Sequence, residues 1–409
     1  MALPTEAEWG IRSGGNDLNG AGFKSVDGGS VNYVHQDAAE LSLTDLATPG
    51  AGSTTLTSAA GGFTAAMTGN FIFINTGTNF TQGYYQIATH VDTNEVTLDR
   101  SPTPGGAGGG DGEGKVGGSR ATLTDAALDQ MSLDDTMYIE GGATYTPGGA
   151  INVAQGGGSK KCRLIGYTTT PGDTCRDANR PIIEMAANGF MFTGQRWKIM
   201  NLKINMDDAI GLRVTASTII RNVTVEKDVN NSNSRCFYSS GSDNHLIDCE
   251  GYSIQSPAKG RGVENAFNSA QYCEFYDLEE GVDLGMVGAL IYKNVIRDCT
   301  SIGIDINADA AVIQHNTIDG NATGIDVGGY NSLVIMNNQI THNTTVGINA
   351  SADQSELGHN NYHGNTADVS GITKEDDATS DDPGYANEGG DDFSEVDDAN
   401  SFEMLRGVS

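Results

Sequence analysis

Leu290-Ile-Tyr-Lys-Asn294-Val-Ile, Val312-Ile-Gln-His-Asn316-Thr-Ile, Leu333-Val-Ile-Met-Asn-Asn338-Gln-Ile and Leu357-Gly-His-Asn-Asn361-Tyr are four renderings of one phrase. Asn294, Asn316, Asn338 and Asn360 follow one another at intervals of 22, 22 and 22 residues. A second phrase runs between the copies: Gly211-Leu-Arg213, Gly262-Val-Glu264, Gly281-Val-Asp283, Gly303-Ile-Asp305, Gly324-Ile-Asp326 and Gly347-Ile-Asn349. Each period holds two or three short β-branched runs separated by turn formers. Neither a leucine-rich consensus nor a 3.6-residue period accompanies them, which excludes horseshoes and helical arrays.

The physical solution is a parallel β-solenoid, an all-β fold of ~22-residue coils stacked at about 4.8 Å, the ordinary interstrand spacing. Ile304, Ile325 and Ile348 are expected to form an inward apolar stack. The recurring asparagine is expected to build an internal amide ladder of the kind that reinforces stacked parallel strands. Asn201 and Asn222, 21 residues apart, read as earlier rungs, and less regular copies occur at His245-Leu-Ile-Asp248 and Gln271-Tyr-Cys273. Surface turns alone would not impose a fixed spacing. Asn321 is off this register, so its replacement is expected to cost little.

Outward from the repeat, the 409-residue chain carries 53 Asp+Glu against 23 Lys+Arg, a formal charge of −30, with 55 glycines. Nucleic acid and anionic membrane surfaces require clustered bases, so neither is an expected partner. No apolar run approaches the ~20 residues of a membrane span. The start, Met1 to Trp9, shows neither the basic nor the apolar segment of a secretory signal. The six cysteines form no CxxC pair, which argues against zinc or a disulfide scaffold. They are expected to be reduced and buried, although Cys162 and Cys175 flank a loop and could pair in an oxidising medium.

Four segments are expected: an opening strand and cap over residues 1–43, an inserted small β-module with a Gly-rich linker over 44–120, the solenoid over 121–372, and an acidic cap over 373–409. Within the insertion, Tyr84-Tyr-Gln-Ile-Ala and Glu95-Val-Thr-Leu read as a hairpin. By composition Pro102 to Gly114 is a flexible linker; no GKS/GKT follows it and no calcium nonapeptide fits. Glu375 to Asp398 carries 11 acids and no Lys or Arg, with no EF-hand spacing.

Chemistry is expected on one sheet. Glu264, Asp283, Asp305, Asp326 and Asn349 each follow Gly-(Val/Ile), so they point outward in register, with Arg213 at the equivalent place earlier. Stacked carboxylates about 5 Å apart repel, and something must compensate. Glycoside hydrolysis uses carboxylate pairs at such separations. A hard cation such as Ca²⁺ would take Asp283, Asp305 and Asp326 as ligands. Solvated carboxylates that merely guard an exposed sheet are the third reading. His315 and His359, beside the asparagine ladder, read as turn residues, and Trp9, Trp197, Tyr252, Tyr272 and Tyr276 as packing.

The repeat, with Trp9-Gly-Ile-Arg-Ser-Gly-Gly-Asn as an opening strand, Leu133 to Tyr145 as a first coil and Asp382 to Phe393 as a closing segment, resembles the right-handed parallel β-helices, the pectate-lyase-like proteins that include bacteriophage tailspikes. That scaffold hosts lyases, hydrolases, epimerases and binding fibres. A lyase of this kind would need Arg or Lys beside the acids, and only Arg213 and Arg261 qualify, both upstream. The resemblance implies a virion structural protein, a tailspike, fibre or capsid decoration assembled in the host cytoplasm. Its implied partners are its own copies in a homotrimer, other virion proteins and a host polysaccharide. A secreted polysaccharide lyase or hydrolase, and a self-assembling extracellular fibre or surface layer, are the alternatives. No cofactor is expected beyond Ca²⁺.

Overall fold

The computed structural model describes residues 6–25, 30–105, 107–124, 128, 131, 134–153, 161–173, 175, 179–185, 189–192, 194, 196–207, 210–228, 231–350, 355–383, 385–387 and 392–395. The chain is all-β, and its largest element is a right-handed parallel β-solenoid of about 8 turns. It divides into two compact units, residues 1–184 with 194–203, and residues 185–193 with 204–409.

In the first unit, Glu8–Ile11 pairs in parallel with Thr136–Glu140, which pairs in parallel with Cys162–Tyr167. Trp9 is buried there, stacked on Phe71 at 5.0 Å, and its indole N–H donates to Asp135 at 3.0 Å. Six antiparallel strands close a barrel: Leu41–Ala47, Thr55–Ser58, Phe71–Thr78, Gly83–Asp92, Glu95–Leu98 and Gly110–Val116. Leu46, Leu56, Ile72, Ile74, Ile87 and Val96 fill it and are fully buried. The Gly-rich stretch is therefore not a linker throughout. Gly110–Val116 is a barrel strand paired with two others. Gly112 and Gly114 are required by close packing, since a Cβ at Gly112 would come within 2.8 Å of the Leu46 Cβ and one at Gly114 within 2.8 Å of the Leu46 Cδ1.

In the second unit the sheet bearing the acids runs Phe190–Phe192, Ile210–Val214, Arg235–Ser239, Arg261–Asn265, Glu280–Leu284, Ile302–Ile306, Thr323–Gly328, Val346–Ala350 and Val369–Ser370, all parallel. Val263, Val282, Ile304, Ile325 and Ile348 stack inward without exposure. The glycine before each is set by contact between coils: a Cβ at Gly303 would sit 2.7 Å from the carbonyl oxygen of Gly324.

Two amide ladders run inside this unit. In the first, the backbone and side-chain N–H groups of Asn294 donate to the Asn316 Oδ1 at 2.9 and 3.0 Å, and Asn316 and Asn338 repeat the pattern onto Asn338 and Asn360. Glu375 closes it, accepting from both N–H groups of Asn360. The second ladder runs through Asn321, Asn343 and Asn365 with the same bonds. Asn321 is thus a rung, contrary to the sequence expectation, which followed one phrase and overlooked its partner five residues on. Both ladders are preceded by a cysteine, Cys273 and Cys299, whose backbone N–H donates to the first amide.

Asn201 and Asn222 need correction. Each rung follows a left-handed residue, Lys293, His315, Asn337 or His359 (φ 54–58°), and Asn201 and Asn222 (φ 61° and 53°) adopt that conformation themselves. They are left-handed residues within the strands Trp197–Met206 and Ile219–Lys227, one position ahead of the rung site, where buried Leu202 and Val223 stand. The Asn201 amide instead donates to the Gly166 carbonyl. Asparagine suits both places, because it tolerates the left-handed region and can pair amides, so the residue type alone does not separate them. All six cysteines are buried, and none is in a disulfide. Among the described residues no helix is long and apolar enough to cross a membrane.

Candidate functional site

Strand register places two rows of outward side chains on the acid-bearing sheet. The first is Arg213, Tyr238, Glu264, Asp283, Asp305, Asp326 and Asn349, one per coil. The second is Arg235, Arg261, Glu280, Ile302 and Thr323. Inward neighbours fix the direction of the first row, since successive residues of a strand face opposite sides; the second row, across the signature position, is placed on the same face by its ion pairs with the first.

Charge along the strip is graded. Burial raises the pKa of Glu264, but bonds from Arg235 and Arg261 outweigh it and hold the carboxyl below its usual value. Arg235 bonds both of its oxygens, with Nη2 at 3.0 Å from Oε1, and Arg261 Nη1 lies at 2.8 Å from Oε2. Arg261 also binds Glu280 and lies 3.5 Å from Asp283. The arginine upstream of the cluster in sequence therefore reaches into it. Burial raises the Asp283 pKa, against the opposing effects of Asn307 and Arg261. Asp305 is pushed up to about 6, first by burial and then by repulsion from Asp283, Glu280 and Asp326, against the bond from Asn307. The Asn307 amide spans the two carboxylates, at 2.9 Å from Asp283 and 3.0 Å from Asp305. Asp326 accepts from the Gly328 N–H at 3.0 Å and from Asn349 at 3.3 Å.

Glu280, Asp283 and Asp305 each bring a carboxylate oxygen within 4.8 Å of the others, a hard donor set of the kind that suits Ca²⁺. Asp326, expected among such ligands, is outside this group; Glu280 takes its place because the row beside the acids also faces outward. The sequence reading missed Glu280, Arg235 and Tyr238. The last two lie on a coil where Cys236 replaces the signature glycine, so the phrase is broken; Gly251 beside Cys236 makes the room its side chain needs. Glu280 stood in plain view, directly before Gly281.

Elsewhere, Tyr252 and Tyr276 stack at 4.8 Å and donate to Glu226 and Glu250. Trp197 is fully buried, whereas Tyr272 is 46% exposed. His315 and His359 occupy the left-handed turn ahead of their rungs.

The family described as right handed beta helix region matches residues 261–381. Among solved structures, the chain is similar to the tailspike protein of E. coli bacteriophage HK620 in complex with a pentasaccharide, at 10% identity over 61% of this chain and 55% of that one, TM-score 0.45. It is also similar to the A-module of the Azotobacter vinelandii mannuronan C-5 epimerase AlgE6, at 14% identity over 63% and 87%, TM-score 0.36. The chain spans about half the length of the tailspike structures it matches. At these scores the likeness does not bear on function. No curated protein matches the sequence.

Proposed function

We propose that the chain is a glycan-binding structural protein of a virion surface, a tailspike, fibre or capsid decoration, that serves host attachment as a homotrimer. The observation that supports this reading is the outward strip itself: arginine, tyrosine, carboxylate and amide side chains at one position of successive coils. Repeated hydrogen-bonding groups at about 4.8 Å steps suit a linear polyhydroxylated polymer. Six buried cysteines outside any disulfide suit assembly in a reducing cytoplasm. Immobilised host surface polysaccharide should retain the purified protein without release of reducing ends or unsaturated sugars. Failure of any surface glycan to retain it would overturn the reading.

Depolymerisation is the second reading, favoured by one observation. Asp305, held near 6 beside Asp283, has the elevated pKa of a carboxyl suited to donate a proton in glycoside hydrolysis. Against it, Asn307 ties both carboxyls together and no Lys or His stands on the Asp283, Asp305 and Asp326 strands. Glycan cleavage abolished by Asp305→Asn would decide for the enzyme. Calcium bound by Glu280, Asp283 and Asp305 is the remaining proposal for this cluster; a melting temperature lowered by EGTA and insensitive to it in Glu280→Gln would support it.

A further inference from the structure

Three arginines lie on the described part of the acid-bearing sheet in the second unit. Arg235 is taken up by Glu264, and Arg261 by Glu264, Glu280 and Asp283. Arg213 has no carboxylate partner among the described residues. Its Nε–H is shut off from solvent and meets no acceptor. Its guanidinium lies 5.3 Å from the centre of the Tyr238 ring, which Arg235 also approaches at 5.8 Å. An unmet buried donor is destabilising and calls for a partner. Stacking on Tyr238 leaves the in-plane edge of a guanidinium available, and that fork matches the two oxygens of a carboxylate.

The rest of the strip limits what else the ligand carries. Asp283 lies three coils from Arg213, about 14 Å along the stack. From there to Asp326 the row is acidic, with Glu280, Asp283 and Asp305 bringing carboxylate oxygens within 4.8 Å of one another. A second anion over these groups would be repelled.

We propose, resting on the glycan-binding reading, that Arg213 with Tyr238 is a carboxylate subsite, and that the ligand is a heteropolysaccharide with one acidic sugar per repeat whose neighbouring residues over Asp283 to Asp326 are uncharged. A homopolymer of uronic acid is disfavoured, because it would set a carboxylate against each acid in turn.

An array of bacterial heteropolysaccharides, each also printed after carboxyl reduction to the neutral sugar, with polygalacturonate alongside, tests this. Glycans with a single carboxylate per repeat should be retained, and carboxyl reduction or Arg213→Gln should weaken binding roughly 10- to 100-fold, the range for a charge-assisted contact. Arg213→Lys, which keeps charge but loses the fork, should recover only part. Retention of neutral glycans unaffected by Arg213→Gln, or preference for polygalacturonate, would overturn the carboxylate subsite and leave glycan binding standing. Retention of no glycan would overturn both. If Arg213→Gln does not fold, carboxyl reduction of the glycan, tested with the unsubstituted protein, decides the same question.

Discussion

Replacing Asn316 by alanine removes one rung from the first ladder. The side chain accepts from the Asn294 backbone N–H at 2.9 Å and from its Nδ2 at 3.0 Å. It donates to the Ile291 carbonyl and to the Asn338 Oδ1, both at 3.0 Å. Asn316 is fully buried, so water cannot replace these four bonds. At about 0.5–1.5 kcal/mol net for each, the loss is about 2–6 kcal/mol. Asn321→Ala breaks three bonds, from the Cys299 N–H and to Ile296 and Asn343, and should cost about 1.5–4.5 kcal/mol. Asn331 is the control: it is partly exposed and bonds through its backbone, to Asp309 and Ala310, so its replacement should stay within about 0.5 kcal/mol. Urea unfolding followed by far-UV circular dichroism reads the order Asn316, Asn321, Asn331 in falling cost. A midpoint for Asn316→Ala no lower than that of Asn331→Ala would refute the ladder as a source of stability.

Asp305 titrates near 6 in the folded chain and near 3.8 when unfolded. The folded state therefore holds the extra proton between these values, and the group's contribution makes stability fall as pH rises from about 4 to 6. Asp305→Asn should leave melting at pH 7 unchanged or raised and flatten that slope; a lower melting temperature at pH 7 would contradict the repulsion. Ile325→Asp places an uncompensated charge in the inward stack, where Ile325 has no exposure, at a cost of several kcal/mol. Insoluble or unfolded protein is expected, and a soluble variant with an unchanged melting curve would sink the coil alignment. Glu375→Ala removes the acceptor of both Asn360 N–H groups and of the Tyr362 hydroxyl. Amide exchange should accelerate in the last coil, around Asn361–His363, and much less around Asn294; uniform exchange would deny it the role of a cap.

The solenoid was legible because its coils repeat where they bury: the Gly-Ile-Asp phrase encodes a close coil contact, an inward stack and an outward group in three consecutive letters. Legibility failed where one residue type serves two geometries. Asparagine fills both a left-handed position and an amide rung, which misplaced Asn201 and Asn222 by one position. It failed again where glycine makes room within a sheet, so that Gly110–Val116 read as linker. The acid row was visible through its phrase, but the ion pairs were not. Arg235 reaches Glu264 across 29 residues of sequence, a contact that only coil register brings together.

The ladders also bear on how such a chain can change over time. From Asn294 to Asn343 each rung meets its counterpart 22 residues on, so a codon gained or lost after one rung must be offset before the next. Before Cys273 no such ladder operates among the described residues, and the steps between coils vary more widely, with Tyr238 26 residues before Glu264 and Glu264 only 19 before Asp283, against 22, 21 and 23 from Asp283 to Asn349. Insertions and deletions should therefore accumulate upstream, in the turns beside Arg213, Tyr238 and Arg261, while the downstream coils keep their length. Variation in what the strip recognises can then proceed by indels at one end of a sheet whose other end is held to length.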